Sequence, residues 1–107
     1  MFHITAKKNL SSILEKGLIP RYTKGLTCGN DAKPVVWLTD NPQYILDTQC
    51  GPKWIKENKP VIIKIDCKGL DIMQRLSYHK VPAMICRHEY YYEGKIKQNF
   101  GVKECFM

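Results

Sequence analysis

Two short stretches carry the side chains with which this chain could do chemistry. The first is FHIT, at positions 2–5. On a strand, alternate residues point to opposite faces, so Phe2 and Ile4 face one way and His3 and Thr5 the other. A face bearing an imidazole and a hydroxyl either lines a site or belongs to an ordinary edge strand. The second stretch is AMICRHEYYY, at 83–92. On a strand, Arg87, Glu89 and Tyr91 share one face. A guanidinium beside a carboxylate favours the ionised carboxylate. An ionised carboxylate can stabilise positive charge that develops in a transition state. Glu93 lies an even step further on and is the second choice for that role. The run EYYY reads as a cross-strand aromatic ladder or as a stacking platform for bases. His79, Cys86 and His88 match no common metal-ligand spacing, so no metal is expected.

The elements that must position these groups can be read from local pattern. Residues 1–5 form a strand. Residues 7–16 form a helix with Leu10, Ile13 and Leu14 on one face, Thr5 as its N-cap and Gly17 as its C′ glycine. Pro20 stops it, and 20–34 is a loop containing Gly25, Gly29 and Pro34. Val35–Thr39 is a strand by its β-branched and aromatic content. Asp40 or Asn41 caps a helix that has Pro42 in its first position and runs through QYILDTQ to Gly51-Pro52. KWIKENK adds a helical turn. PVIIKIDC, 60–67, is the clearest strand. LDIMQRL is a short helix, Gly94 makes a turn, and GVKECFM is a closing strand. Strand–helix alternation is not sustained, so a small α+β domain is expected rather than a doubly wound parallel sheet.

A chain of 107 residues suits one domain. It is 44% hydrophobic and 25% charged, as globular proteins are. It has no apolar run of membrane-spanning length, and Lys7 and Lys8 interrupt any signal-like segment, so a cytoplasmic protein is expected. Five cysteines, widely spaced and odd in number, make a poor disulfide framework and read as reduced thiols. The formal net charge of +7 points to an anionic partner or to a solvated basic surface.

FHITAKKNLSSILEKGL resembles the first motif of the ADP-ribosyltransferase superfamily, a His- and Thr-bearing strand followed by N-L-x-x-I-L-x-x-G-L. In style it is similar to DarT-like DNA ADP-ribosyltransferase toxins and related small bacterial and phage domains. VVWLTDNPQYI resembles the second motif, and RHEYYYEGKI the third, a glutamate-bearing strand and turn. The resemblance spans nearly the whole chain. It implies an α+β fold of small, split, mixed or antiparallel sheets with a few short helices, and NAD as substrate. It implies that His3 binds the nicotinamide ribose and shares the catalytic role with Glu89, and that Thr5 holds the nicotinamide end. Trp37 stands where many members carry tyrosine, and it joins Thr39 and Tyr44 as cofactor contacts. Arg87 and Tyr91 would meet the acceptor.

The activity implied is mono-ADP-ribosyl transfer from NAD, a glycosyltransferase reaction that releases nicotinamide. The acceptor would be a nucleic acid, DNA ahead of RNA, or a protein. Two alternatives follow from the same residues. One is a non-enzymatic inhibitor or binding protein on the same fold, such as a phage anti-defence protein. The other is an RNA 2′-phosphotransferase, disfavoured because the chain has only Arg21, Arg75 and Arg87.

Overall fold

A computed structural model of the chain describes residues 1–21, 34–74, 87–97 and 100–104. Strand β1 spans Phe2–Ala6, followed by a 3-10 turn at Lys7–Asn9 and helix α1 at Leu10–Lys16. Then come β2 (Val36–Thr39), α2 (Pro42–Thr48), α3 (Pro52–Asn58), β3 (Pro60–Ile65), β4 (Met73–Gln74), β5 (Glu89–Tyr92) and β6 (Phe100–Glu104). The strands form one six-stranded sheet in the order β4-β5-β2-β1-β3-β6. Its five strand pairs are all antiparallel. The domain is therefore α+β with an antiparallel sheet, and the described residues supply no parallel pair.

Register sets which side chains share a face, because directly opposed residues on antiparallel strands point the same way. Phe2 pairs with Thr39, and Thr39 with Glu89. Trp37 pairs with Tyr91. These five residues occupy one face. His3 and Thr5 alternate onto the other, with Val36, Leu38 and Ile63. That second face carries the main core, where Leu18, Val36, Leu38, Ile63, Ile65 and Ile96 are buried together. Each such side chain contributes roughly 1.5–3 kcal/mol of burial. Leu10 and Ile13 of α1 pack on this core. Leu14, expected on the same stripe, is 55% exposed. Two turns of helix present one i, i+3 pair to the sheet. Leu18, which follows Gly17, fills the next position and bridges to Ile96.

Gly17 ends α1 at φ +84° and ψ 179°, and its N–H donates to the Ile13 carbonyl at 2.8 Å. A Cβ built there would lie 2.5 Å from the Ile96 carbonyl oxygen. Both the conformation and the space require glycine. Thr5 caps no helix; its hydroxyl accepts from Asn9 Nδ2 at 3.3 Å, tying the 3-10 turn to β1. Asn41 caps α2 as expected, accepting from the Tyr44 N–H at 3.1 Å, with Pro42 in the first turn. The described part of LDIMQRL, residues 70–74, does not form the expected helix; Arg75 and Leu76 lie outside the described residues. Met73 and Gln74 pair with Tyr91 and Tyr90 as an edge strand, because an open sheet edge supplies backbone partners that local propensity cannot anticipate. The 83–92 strand begins at Glu89 within the described residues, so Arg87 and His88 lie in the turn before it. The closing strand is present as β6. Cys50 and Cys67 are free thiols; Cys28, Cys86 and Cys105 lie outside the described residues, as does most of the 20–34 loop.

Candidate functional site

The ladder between β1 and β2 is short. Five Cα pairs join β1 to β3, whereas Phe2–Thr39 is the pair that joins β1 to β2. Past that point the two strands part. A side chain replaces the backbone partner there: His3 Nδ1 lies 2.7 Å from the Trp37 carbonyl oxygen. A carbonyl can only accept, so Nδ1 carries the proton and donates. Burial lowers the pKa of His3, and the bond to Trp37 opposes that only in part. The imidazole is therefore neutral at physiological pH and presents Nε2 as an acceptor.

Where the strands part, a cleft of about 430 Å³ opens. This lies within the usual range for small-ligand sites. His3, Thr5 and Trp37 all line it, so three of the residues singled out from sequence meet at one place. Thr5 is 8% exposed and already accepts from Asn9, so its hydroxyl is the most recessed of the three polar groups. Sequence reasoning missed Lys8, Arg21, Trp54 and Asn58, which also line the cleft. The tryptophan and asparagine come from α3, whose helical pattern was legible but whose position was not. Among the described residues that line the cleft, none is a carboxylate.

Thr39, Tyr44, Arg87, Glu89 and Tyr91 do not line this cleft. Thr39, Tyr44, Arg87 and Glu89 lie toward the opposite end of β2, whereas Tyr91 pairs with Trp37 on the sheet face away from His3. The Thr39 hydroxyl accepts from the Asn41 N–H at 3.0 Å and so shapes the turn into α2. Glu89 is 6% exposed, and its Oε1 accepts from Gln49 Nε2 at the end of α2. Glu93 lies exposed beyond the strand, so Glu89 is the enclosed carboxylate of the two. Tyr91 is buried, and its ring packs edge-on against Trp37 with centroids 5.8 Å apart. Arg87 is exposed in the turn, and its carbonyl accepts from Gln74 Nε2 at 3.1 Å.

A further cluster escaped the sequence reading because its members lie 48 and 50 residues apart. His88 Nδ1 donates to Asp40 Oδ1 at 2.7 Å, and the Tyr90 hydroxyl donates to Asp40 Oδ2 at 3.2 Å. Burial and the neighbouring Asp40 carboxylate raise the Tyr90 pKa. The Tyr44 ring stands edge-on to His88 at 4.7 Å. His88 thus has a carboxylate partner here; His79 and Cys86, the other two residues weighed as ligands, lie outside the described residues.

No protein-family model, no curated protein and no solved structure matches this chain. Among the described residues, no helix is long and apolar enough to cross a membrane.

Proposed function

We propose that the protein is an NAD-dependent mono-ADP-ribosyltransferase, with NAD held in the cleft between β1 and β2. The observation that carries this reading is the meeting of His3, Thr5 and Trp37 where the two strands part, beside Lys8 and Arg21. A neutral imidazole with Nε2 available suits a ribose hydroxyl, which donates to it. Trp37, whose ring lies on the other sheet face against Tyr91, contributes the carbonyl that orients the His3 ring. In the reaction the bond between C1′ and the nicotinamide nitrogen breaks, and its electron pair leaves with neutral nicotinamide. The acceptor's oxygen or nitrogen bonds to C1′ and loses its proton to base. Positive charge builds on the ribose in between, and the Glu89 carboxylate is the group assigned to stabilise it. The basic surface suits a nucleic-acid acceptor, DNA in the first instance.

One observation favours a second reading, a protein that binds the nucleotide without turning it over. Glu89 is enclosed and bonded to Gln49, and it does not line the cleft. Incubation with NAD labelled in the adenylate, together with DNA, RNA or protein acceptors, separates the two. Label transferred to an acceptor with release of nicotinamide supports the enzyme. NAD binding without transfer to any acceptor supports the binding protein and ends the enzyme reading.

A further inference from the structure

The cleft carries two exposed cations, Lys8 and Arg21, and no carboxylate among the described residues that line it. Lys8 projects from the 3-10 turn, and Arg21 sits where the chain returns to the sheet. The Arg21 backbone is held by reciprocal hydrogen bonds with Val35 at 3.0 and 3.1 Å, so its side chain starts from a fixed point. Among the described residues, no carboxylate pairs with Lys8 or Arg21. Helix α3 lines the same cleft with Trp54 and Asn58. Trp54 is 37% exposed, so its ring is accessible to a planar ligand. Asn58, one helical turn on, donates its Nδ2 to the Trp54 carbonyl at 2.9 Å. The carbonyl demands a donor, so the amide orientation follows, and Asn58 Oδ1 is left as an acceptor at the cleft wall.

We propose that this outer part of the cleft is an adenosine-diphosphate subsite. Trp54 stacks on the base, Asn58 Oδ1 accepts from the exocyclic amine of adenine, and Lys8 with Arg21 neutralises the diphosphate. The assignment rests on the dinucleotide reading of the cleft, and it places the nicotinamide half inward, at His3 and Trp37. An acceptor at the base edge selects adenine over guanine, whose corresponding position is a carbonyl that would face Oδ1 lone pair to lone pair. Stacking on a tryptophan is tolerant of the base, so Trp54 supplies affinity and Asn58 supplies choice.

Calorimetry with ADP, GDP, nicotinamide mononucleotide and NAD tests it on the parent protein and on the Trp54→Ala, Lys8→Ala/Arg21→Ala and His3→Ala variants. Trp54, Lys8 and Arg21 are all exposed, and circular dichroism confirms that each variant is folded. ADP is expected to bind more tightly than GDP. Trp54→Ala is expected to weaken ADP and NAD roughly tenfold and leave nicotinamide mononucleotide unchanged. The Lys8/Arg21 double variant is expected to bind ADP more weakly and with a shallower dependence on salt. Unchanged ADP affinity in Trp54→Ala, with NAD binding still sensitive to His3→Ala, overturns the subsite and leaves the dinucleotide reading standing. ADP binding that needs Trp54, with no affinity for nicotinamide mononucleotide or NAD, keeps the subsite and ends the dinucleotide reading. Absence of binding by both ADP and NAD overturns both.

Discussion

The two ends of β2 have opposite economies of polar groups. At its start, beside Trp37, the sheet splits next to Lys8 and Arg21, which meet no carboxylate among the described residues, and next to an imidazole with one nitrogen available. At its end, Thr39 and the adjoining Asp40 sit in a closed network. Asn41 is bonded to Thr39, Gln49 to Glu89, and His88 and Tyr90 to Asp40. Unpaired polar groups around a cavity are available to a ligand, whereas paired ones hold strands and turns in place. The open end therefore has the character of a binding site. The closed end becomes a catalytic one only if the Glu89 carboxylate exchanges Gln49 for a substrate group. That division is open to direct attack.

The sharpest test is Glu89→Gln. If the closed end supplies the transition-state charge, transfer falls roughly 100- to 1,000-fold while NAD affinity changes little. Single-turnover transfer and calorimetry on the same samples measure both. A parallel loss in affinity instead would move Glu89 into the binding site, and an unchanged rate would end its catalytic role.

Gly17→Ala probes the wall of the open end. The substitution places a Cβ against the Ile96 carbonyl in a backbone region that only glycine occupies comfortably. At about 1–3 kcal/mol for the backbone alone, the melting temperature is expected to drop on the order of 10 °C. A drop of a degree or two would show that α1 can shift away from the bridge between Leu18 and Ile96.

His3→Ala is expected to weaken NAD roughly five- to tenfold, the scale of one lost hydrogen bond. His3→Asn keeps a donor for the Trp37 carbonyl and removes the titration. This matters for pH. Burial holds His3 below the ordinary histidine value of about 6.5. Below that value the unfolded chain binds more protons than the folded one at this residue, so stability falls with falling pH. The contribution is intact above about pH 6.5 and declines by at most about 1.4 kcal/mol per pH unit until the folded pKa is passed. Denaturant melts at pH 7.5 and 5.5 should show this slope in the parent and a smaller one in His3→Asn. Equal slopes would place the titration elsewhere.

The smallest effect concerns Cys50, in the segment between Gln49 and α3. Burial raises its thiol pKa, so alkylation at pH 8 should be slower than that of free cysteine and should accelerate as pH rises. Intact mass under denaturing conditions without reductant should show five added groups, one for each cysteine of the chain.

Much of the local structure was legible because its causes are local. β3 follows from a run of β-branched residues. Helix α2 follows from Asn41 as cap and Pro42 in the first turn, and the end of α1 follows from Gly17. These depend on side chains within a turn or two of one another. The alternation at His3 and Thr5 was legible for the same reason, since it needs only the pleat of one strand. What the pleat cannot say is which strand lies alongside. The register Phe2–Thr39–Glu89 puts Glu89 on the face opposite His3, so two residues read as partners begin on different sides of the sheet. The departure of β1 from β2 after one pair opens the cleft, and the path of the chain brings Trp54 and Asn58 to its wall. Asp40 meets His88 across 48 residues, and Met73 joins a sheet edge against its own local preference. Each of these depends on pairings between distant segments. Their energy comes from backbone groups and buried area that do not exist until the whole sheet has formed, so they were decided by tertiary structure alone.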